Sequence, residues 1–315
     1  MEYTRLGSTG LEVSVLCFGT WRFNKRSSGV LETDRETAQE LLDTYAAQGG
    51  NFIDTANTYG GGKSEEWIGE WLAERNREDF VVASKLYWSA ESRFSGNLSR
   101  KNIRAEIEGS LRRLDTDYVD VLYIHRFDDD TPLQETLRTL TRLVEEGRVH
   151  YLAASSGAAW KLTKALWQSD VGELERFELT QPRFNPADRP ADYLDVCAEH
   201  DLAVCPYSPL EGGFLTGKYA DRQLEPGSRG ELQEWDLEFT ERQWRVHDTI
   251  VDVADEVDAT PAQVTLRWLI EYRPTTCVPI FGARTVEQLT ENMGAADISL
   301  SSEQYDRIDL AYDQE

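Results

Sequence analysis

Eight short apolar runs of β type recur along the chain, most neighbours separated by an amphipathic segment, and this alternation constrains the fold more than any other feature. The runs are VLCFGT (15–20), NFIDTA (51–56), FVVASK (80–85), YVDVLYIH (118–125), VHYLAAS (149–155), FELTQ (177–181), LAVCPYS (202–208) and TCVPIF (276–281). Between them lie helical patterns such as RETAQELLDTYAAQG, SEEWIGEWLAERN, RKNIRAEIEGSLRRL and LQETLRTLTRLVEEG, two of which stop at a glycine, as a C-cap does. Eight strand–helix alternations with near-continuous apolar strands predict an α/β chain folded as a (β/α)8 barrel. A doubly wound sheet is the alternative. It is disfavoured because the first strand–helix turn lacks the G-x-G-x-x-G of a Rossmann dinucleotide site.

Three regions depart from the bare repeat. YTRLGSTGLEVS at the start predicts a β-hairpin that plugs the lower end of the barrel. The stretch from Pro209 to Thr240 is rich in Gly, Pro and Glu, and a loop of that length in a barrel is expected to be a functional lid. The third departure is a helical surplus, RQWRVHDTIVDVADEVD followed by PAQVTLRWLIEY. No linker composition intervenes, so residues 1–315 are expected to form a single barrel domain.

Charge narrows the partners. The formal net charge is −24, spread over most of the chain, which argues against nucleic acid or an anionic membrane. Only seven of the 33 basic residues are lysine. Dispersed acid with little lysine is the composition of a halophilic protein working in molar salt, where the Debye length falls to about 3 Å and self-repulsion is screened. The N-terminus has no signal-peptide core and no window is apolar enough to span a bilayer, which points to a soluble cytoplasmic protein. Cys17, Cys197, Cys205 and Cys277 lie scattered in apolar runs and are expected to be buried free thiols, and no histidines stand at ligand spacing, so no metal is expected.

The segment DTANTYGGGKSEE raises a nucleotide-binding alternative, since Gly-Gly-Gly-Lys-Ser resembles a phosphate cradle. The Walker pattern fails because Asn57 stands where its first glycine belongs. Barrel chemistry instead concentrates at the C-terminal ends of strands. Reading those ends gives Asp54 and Tyr59 after the second run, Lys85 closing the third and His125 closing the fourth. Together they suit carbonyl reduction. A phenol with a reference pKa near 10 donates a proton poorly unless a cation stabilises its phenolate. Lys85 is the expected cation and Asp54 its counter-ion; His125 is expected to orient the carbonyl and accompany the proton transfer. Trp21, Trp88 and Phe127, each just past a strand end, are expected to wall the substrate pocket.

NFIDTANTYGGGKSEEWIGEWL, VVASK and SLRRLDTDYVDVLYIH resemble the three segments that carry the Asp, Tyr, Lys and His of the aldo-keto reductases, and the resemblance covers nearly the whole chain. It implies an NADPH-dependent (β/α)8 enzyme that reduces aldehyde or ketone carbonyls reversibly, with Asp54, Tyr59, Lys85 and His125 as its catalytic set. The triple glycine then becomes a turn leading Tyr59 into a helix with Ser64 as N-cap. YLAASSGAAW and TQPRFNPADR resemble the segments that hold the nicotinamide amide, implying Ser155, Ser156 and Gln181. Ser156 stands where the family pattern usually has Asn. YSPLEGGFLTGKY implies Tyr207 stacked on the nicotinamide, Ser208 and Leu210 near the pyrophosphate, and Lys218 as a phosphate cation. PGSRGEL and IFGARTVEQLTEN imply Arg229, Gly282, Arg284, Gln288, Glu291 and Asn292 around the adenosine end, with the long loop covering the cofactor.

Within the family the pattern is nearest the branch that contains voltage-gated potassium channel β-subunits, on LSRKNI, DTPLQETLR and SPLEGGFLTGKY. A nucleotide-binding regulatory subunit with vestigial catalysis is therefore the second reading. His125 favours a working reductase, because the channel subunits differ there. A Schiff-base aldolase would explain Lys85 but leave Tyr59 and the nucleotide-like segments without a role. Expected partners are a small carbonyl substrate and, at most, further copies of the chain.

Overall fold

A computed structural model describes residues 1–27, 30–89, 96–224, 229–232 and 239–313. The barrel strands are β1 (Cys17–Gly19), β2 (Phe52–Asp54), β3 (Val81–Leu86), β4 (Val119–Ile124), β5 (Val149–Ser155), β6 (Phe177–Gln181), β7 (Ala203–Val204) and β8 (Ile280–Phe281). They form one parallel sheet in the order β7-β6-β5-β4-β3-β2-β1-β8. The circle closes between β7 and the residues entering β8: Val204 donates to Thr276 O at 2.8 Å, and Val278 donates to Val204 O at 2.8 Å. The eight runs of the sequence thus become a (β/α)8 barrel. The last two strands are shorter than their runs, because pairing there proceeds through single bridges such as Val204 with Cys277.

Strand alternation divides each run into two faces. Ile53, Val82, Leu122, Ile124 and Leu152 point outward into the layer shared with the helices. Cys17, Phe52, Ala83, Val121, Tyr123, Ala153, Leu179, Ala203, Cys205 and Val278 point inward and fill the barrel. The expected hairpin forms from Tyr3–Arg5 and Glu12–Ser14, paired antiparallel. Its Leu6 and Val13 join the interior cluster from below, so the hairpin does plug the lower end. All four cysteines are buried and free.

The helices are α1 (Arg35–Ala47), α2 (Lys63–Leu72), α3 (Arg100–Leu114), α4 (Leu133–Glu145), α5 (Ala159–Gly172), α6 (Ala191–Glu199), α7 (Arg229–Leu232), α8 (Glu241–Glu256), α9 (Pro261–Ile270), α10 (Val286–Met293) and α11 (Ser302–Asp313). Their ends follow local chemistry. Asp34 and Ser99 cap α1 and α3, and Thr240 and Thr260 form capping boxes with Gln243 and Gln263. Helices α1 and α4 stop where Gly49 (φ 86°) and Gly147 (φ 69°) take the left-handed conformation. The helical surplus after residue 240 is α8 and α9. Among the described residues no helix is long and apolar enough to cross a membrane.

Candidate active site

Continuing the inward alternation by two residues carries each strand out of the apolar interior and into a cleft at its C-terminal end. Phe52 leads to Asp54, Ala83 to Lys85, Tyr123 to His125, Ala153 to Ser155, Leu179 to Gln181 and Cys205 to Tyr207. All but Lys85 line one cleft of about 1330 Å³, whose wall also includes Tyr59. Lys85 lies beneath its floor with no exposed surface.

Lys85 binds the group together. Its Nζ donates to Asp54 Oδ1 at 2.5 Å, to Thr55 O at 2.8 Å and to Tyr59 OH at 3.2 Å. Burial works against the ammonium, but Asp54 and then Tyr59 offset this and raise its pKa above the usual lysine value. Gln181 closes the far side by donating Nε2 to Asp54 Oδ2 at 2.9 Å. His125 meets Tyr59 edge-on with ring centroids 6.0 Å apart and Trp88 at 5.2 Å.

Burial sets the protonation of both rings. Burial pushes the Tyr59 pKa up, and Lys85, as expected of its cation, eases ionisation but offsets only part of that push. His125 cannot carry a proton at neutral pH, because burial and then the Lys85 charge pull its pKa down to about 3. Its buried Nδ1 has no hydrogen-bond partner among the described residues. It is a neutral imidazole beside a neutral phenol.

The glycine turn delivers Tyr59. Gly60, Gly61 and Gly62 have φ of 57°, 69° and 94°, and a Cβ on Gly60 would lie 2.4 Å from Phe23 O. Only glycine fits that approach. Ser64 is not the N-cap of α2. Gly62 takes that place, and Ser64 Oγ pairs instead with Thr20 Oγ1 at 2.7 Å and Thr55 Oγ1 at 2.9 Å. The turn spends its residues on left-handed glycines, so the serine is carried inside the helix against the strand ends. Behind it, buried Glu65 accepts from Ser84 Oγ at 2.5 Å and from Arg113 Nε at 2.8 Å. The sequence shows these groups but does not pair them.

The same cleft continues away from Tyr59 past Ser156, Ser208, Leu210 and Lys218 to Gly282, Arg284, Gln288, Glu291 and Asn292. Ser156 is left-handed at φ 53°, a conformation asparagine adopts more readily than serine. Ser155 Oγ donates to Gln181 O at 3.1 Å. The loop after β7 folds back through left-handed Ser208, Glu211, Gly212, Gly213 and Gly217. Glu211 anchors it: its carboxylate pairs with Arg183 and accepts from Asn185 Nδ2 at 2.7 Å. Lys218 Nζ packs over Gly213, where a Cβ would stand 2.7 Å from it. Trp21, Trp88 and Phe127 line the cleft; the first two are 39% and 41% exposed, whereas Phe127 is buried against Gly157 and Phe177. Sequence reasoning missed Arg22, Lys25, Arg126 and Lys161, which also line the cleft; the first three lie in loops with no periodic signal, and Lys161 sits in the first turn of α5. The Arg229 side chain lies outside the described residues, as does part of the segment expected to cover the cofactor.

The sequence model of the Aldo/keto reductase family matches residues 15–313. The chain belongs to the aldo/keto reductase family. As a member it is an oxidoreductase of the (β/α)8 class, and the family generally uses a nicotinamide dinucleotide. Similar proteins include an aryl-alcohol dehydrogenase of Pestalotiopsis microspora, 35% identical over 97% of this chain and 80% of that protein. Norsolorinic acid reductase A of Aspergillus parasiticus is 33% identical over 96% of this chain and 79% of its own length. A probable voltage-gated potassium channel subunit beta of Arabidopsis thaliana is 33% identical over 95% and 92%. The branch inferred from the sequence is therefore represented among this aldo/keto reductase's relatives.

Proposed function

We propose that the chain is an NADPH-dependent reductase of aldehyde or ketone carbonyls, with Tyr59 as proton donor. The observation that supports this most is Lys85 Nζ placed between Asp54 Oδ1 and Tyr59 OH beneath one wide cleft. The donor set of the cleft fits a dinucleotide. Near Tyr59 it offers the side-chain Oε1 of Gln181, whose Nε2 is committed to Asp54, and Ser155 Oγ as an acceptor, since its proton goes to the Gln181 backbone carbonyl. Farther along it offers the cations Lys218 and Arg284 beside Gln288 and Asn292. Ser155, Ser156 and Gln181 would hold the nicotinamide amide and Tyr207 its ring. Ser208, Leu210 and Lys218 would face the pyrophosphate; Gly282, Arg284, Gln288, Glu291 and Asn292, with Arg229, would face the adenosine end.

The bound cofactor supplies the hydride. The chain's own work is to receive the charge that develops on the carbonyl oxygen. Tyr59, protonated through neutral pH, gives its proton to that oxygen, and Lys85 stabilises the phenolate left behind. Asp54 keeps Lys85 charged in a buried setting where a lone ammonium would be costly. His125, neutral, orients the carbonyl by a hydrogen bond without supplying a second proton. Trp21 and Trp88 provide flat apolar walls for the substrate.

A nucleotide-binding regulatory subunit is the second reading, and the Arabidopsis relative is named a probable potassium channel subunit beta; it fits less well, because such a role has no use for the Asp54–Lys85–Tyr59 relay beside His125. The test is a screen of aldehydes and ketones followed by NADPH absorbance in molar salt. Turnover on at least one class is expected. Cofactor binding without turnover on any carbonyl would favour the regulatory reading.

A further inference from the structure

Two of the catalytic strand ends are tied to helix α2 from behind, each through the residue next to the catalytic one. Thr55, beside Asp54, pairs its Oγ1 with Ser64 Oγ at 2.9 Å. Ser84, beside Lys85, donates its Oγ to Glu65 Oε1 at 2.5 Å. Ser64 and Glu65 stand in the first turn of α2, directly after the glycine turn that carries Tyr59. The 3.2 Å contact of Lys85 with Tyr59 thus closes a circuit whose far side is the bond from Ser84 to Glu65. Glu65 has no exposed surface, and a lone charge there would be costly. Arg113 of α3 answers it, with Nε 2.8 Å from Oε2. The same side chain packs beneath the turn, where a Cβ on Gly62 would lie 3.0 Å from Arg113 Cδ. Gly69 lets the two helices meet, since a Cβ there would lie 2.7 Å from Arg113 O. Fold stability alone does not account for the ion pair, because apolar side chains of similar volume often serve as well or better in such a place.

We propose that Ser84, Glu65 and Arg113 are positioning residues that hold the Tyr59 turn against β3 and so keep the phenol on Lys85. Arg113 supports the third glycine of the turn, and Glu65 ties down the helix that follows it. Ser84 fixes both to the strand that ends in Lys85. None of the three lines the cleft, so they act only through the side chains that do. A misplacement of about 1 Å can cost about 10²-fold in rate, which is what such a strut guards against. For turnover the inference rests on the reductase reading above; for the contact between Tyr59 and Lys85 it does not.

Glu65→Leu combined with Arg113→Met tests this, with Ser84→Ala as the milder variant. Exchanging a buried ion pair for apolar side chains is often neutral or stabilising, so the double variant should melt no lower than wild type. Ionisation of Tyr59 is read from the ultraviolet band of its phenolate, as the difference between each chain and the same chain carrying Tyr59→Phe. Lys85, Asp54, Tyr207 and His125 face the phenol and are unchanged in every variant. With the ring still against His125, a phenolate farther from the ammonium is less stabilised. Tyr59 should therefore titrate at higher pH in the double variant and in Ser84→Ala. In both, kcat for carbonyl reduction should fall at least about tenfold while NADPH affinity holds. A stable double variant whose Tyr59 titrates as in wild type overturns the proposal, whatever its turnover. So does a destabilised double variant when Ser84→Ala keeps the wild-type titration. A wild type without turnover on any carbonyl counts against the reductase reading alone, since the titration still decides the role of the strut.

Discussion

Gln181 reaches across the barrel to Asp54, its Nε2 2.9 Å from Oδ2, and so joins the proposed nicotinamide contact to the Lys85 relay. Burial raises the Asp54 carboxyl, while Lys85 and then Gln181 pull it back. Replacing Gln181 by Leu removes a hydrogen bond to a buried charge, worth about 1–3 kcal/mol. The ionised form of Asp54 loses that support, so its pKa rises. The acid limb of the kcat profile is expected to move to higher pH. A limb that stays in place, whatever happens to cofactor affinity, would assign Gln181 to binding alone.

The histidine predicts an acid-sensitive fold. His125 has a pKa of about 3 in the folded chain, well below its ordinary 6.5. Between those values the unfolded chain takes up a proton that the folded chain refuses. Stability contributed by the neutral imidazole is thus present above about pH 6.5 and falls by about 1.4 kcal/mol per pH unit below it. Chemical denaturation of wild type and His125→Gln from pH 7 to 4 measures the difference. The variant should lose less stability on acidification, and parallel curves would mean that His125 protonates freely.

Much of the site is legible because strand alternation is a local rule. Asp54, Lys85 and His125 each stand two residues beyond an inward apolar side chain, so their strands alone place them at one mouth. Contacts between strands carry no such signature. The Gln181–Asp54 hydrogen bond joins positions 127 residues apart, and Glu65 looks like one more acid of an exposed first helical turn until Ser84 and Arg113 close on it. Ser64 misled for the opposite reason: its residue type suits a cap, but the capping position depended on how many glycines the turn consumed. For Tyr59 the sequence shows the cation that eases its ionisation but not the burial that opposes it.

Cofactor preference rests on the cations at the far end of the cleft. Lys218 and Arg284 line it with Gln288, whose Oε1 accepts from Arg284 N at 3.0 Å and fixes that turn. A 2′-phosphate there gains a charge-assisted contact that a 2′-hydroxyl cannot. NADPH should bind at least about tenfold more tightly than NADH, equivalent to about 1.4 kcal/mol. Quenching of tryptophan fluorescence gives both affinities. Equality between them removes the role given to Arg284.

Salt should stabilise this chain. A net charge of −24 on one barrel repels itself in dilute buffer, and molar salt shortens the Debye length to about 3 Å. Melting temperature and turnover are both expected to climb from low salt to molar KCl. A flat melting temperature across that range would place the chain among ordinary acidic enzymes.

The role of Tyr59 is the sharpest test. Tyr59→Phe keeps the ring against His125 and the glycine turn beneath it, and removes only the hydroxyl that Lys85 touches at 3.2 Å. General acid catalysis contributes about 10² to 10⁴ in rate, so kcat for carbonyl reduction should fall by at least the lower figure. NADPH affinity should hold, since the phenol is assigned no cofactor contact. Lys85→Met should also slow turnover, with an added loss of stability because Asp54 is left buried without its counter-ion. Since burial keeps the phenol protonated, wild-type reduction should vary little around neutral pH, whereas alcohol oxidation should speed up as pH rises and the phenolate becomes available. A Schiff-base enzyme would behave differently: borohydride would trap substrate on Lys85, and Tyr59→Phe would leave that trapping intact. Near-normal reduction by Tyr59→Phe would mean that the proton comes from elsewhere, and with it the relay of Asp54, Lys85 and Tyr59 would lose its purpose.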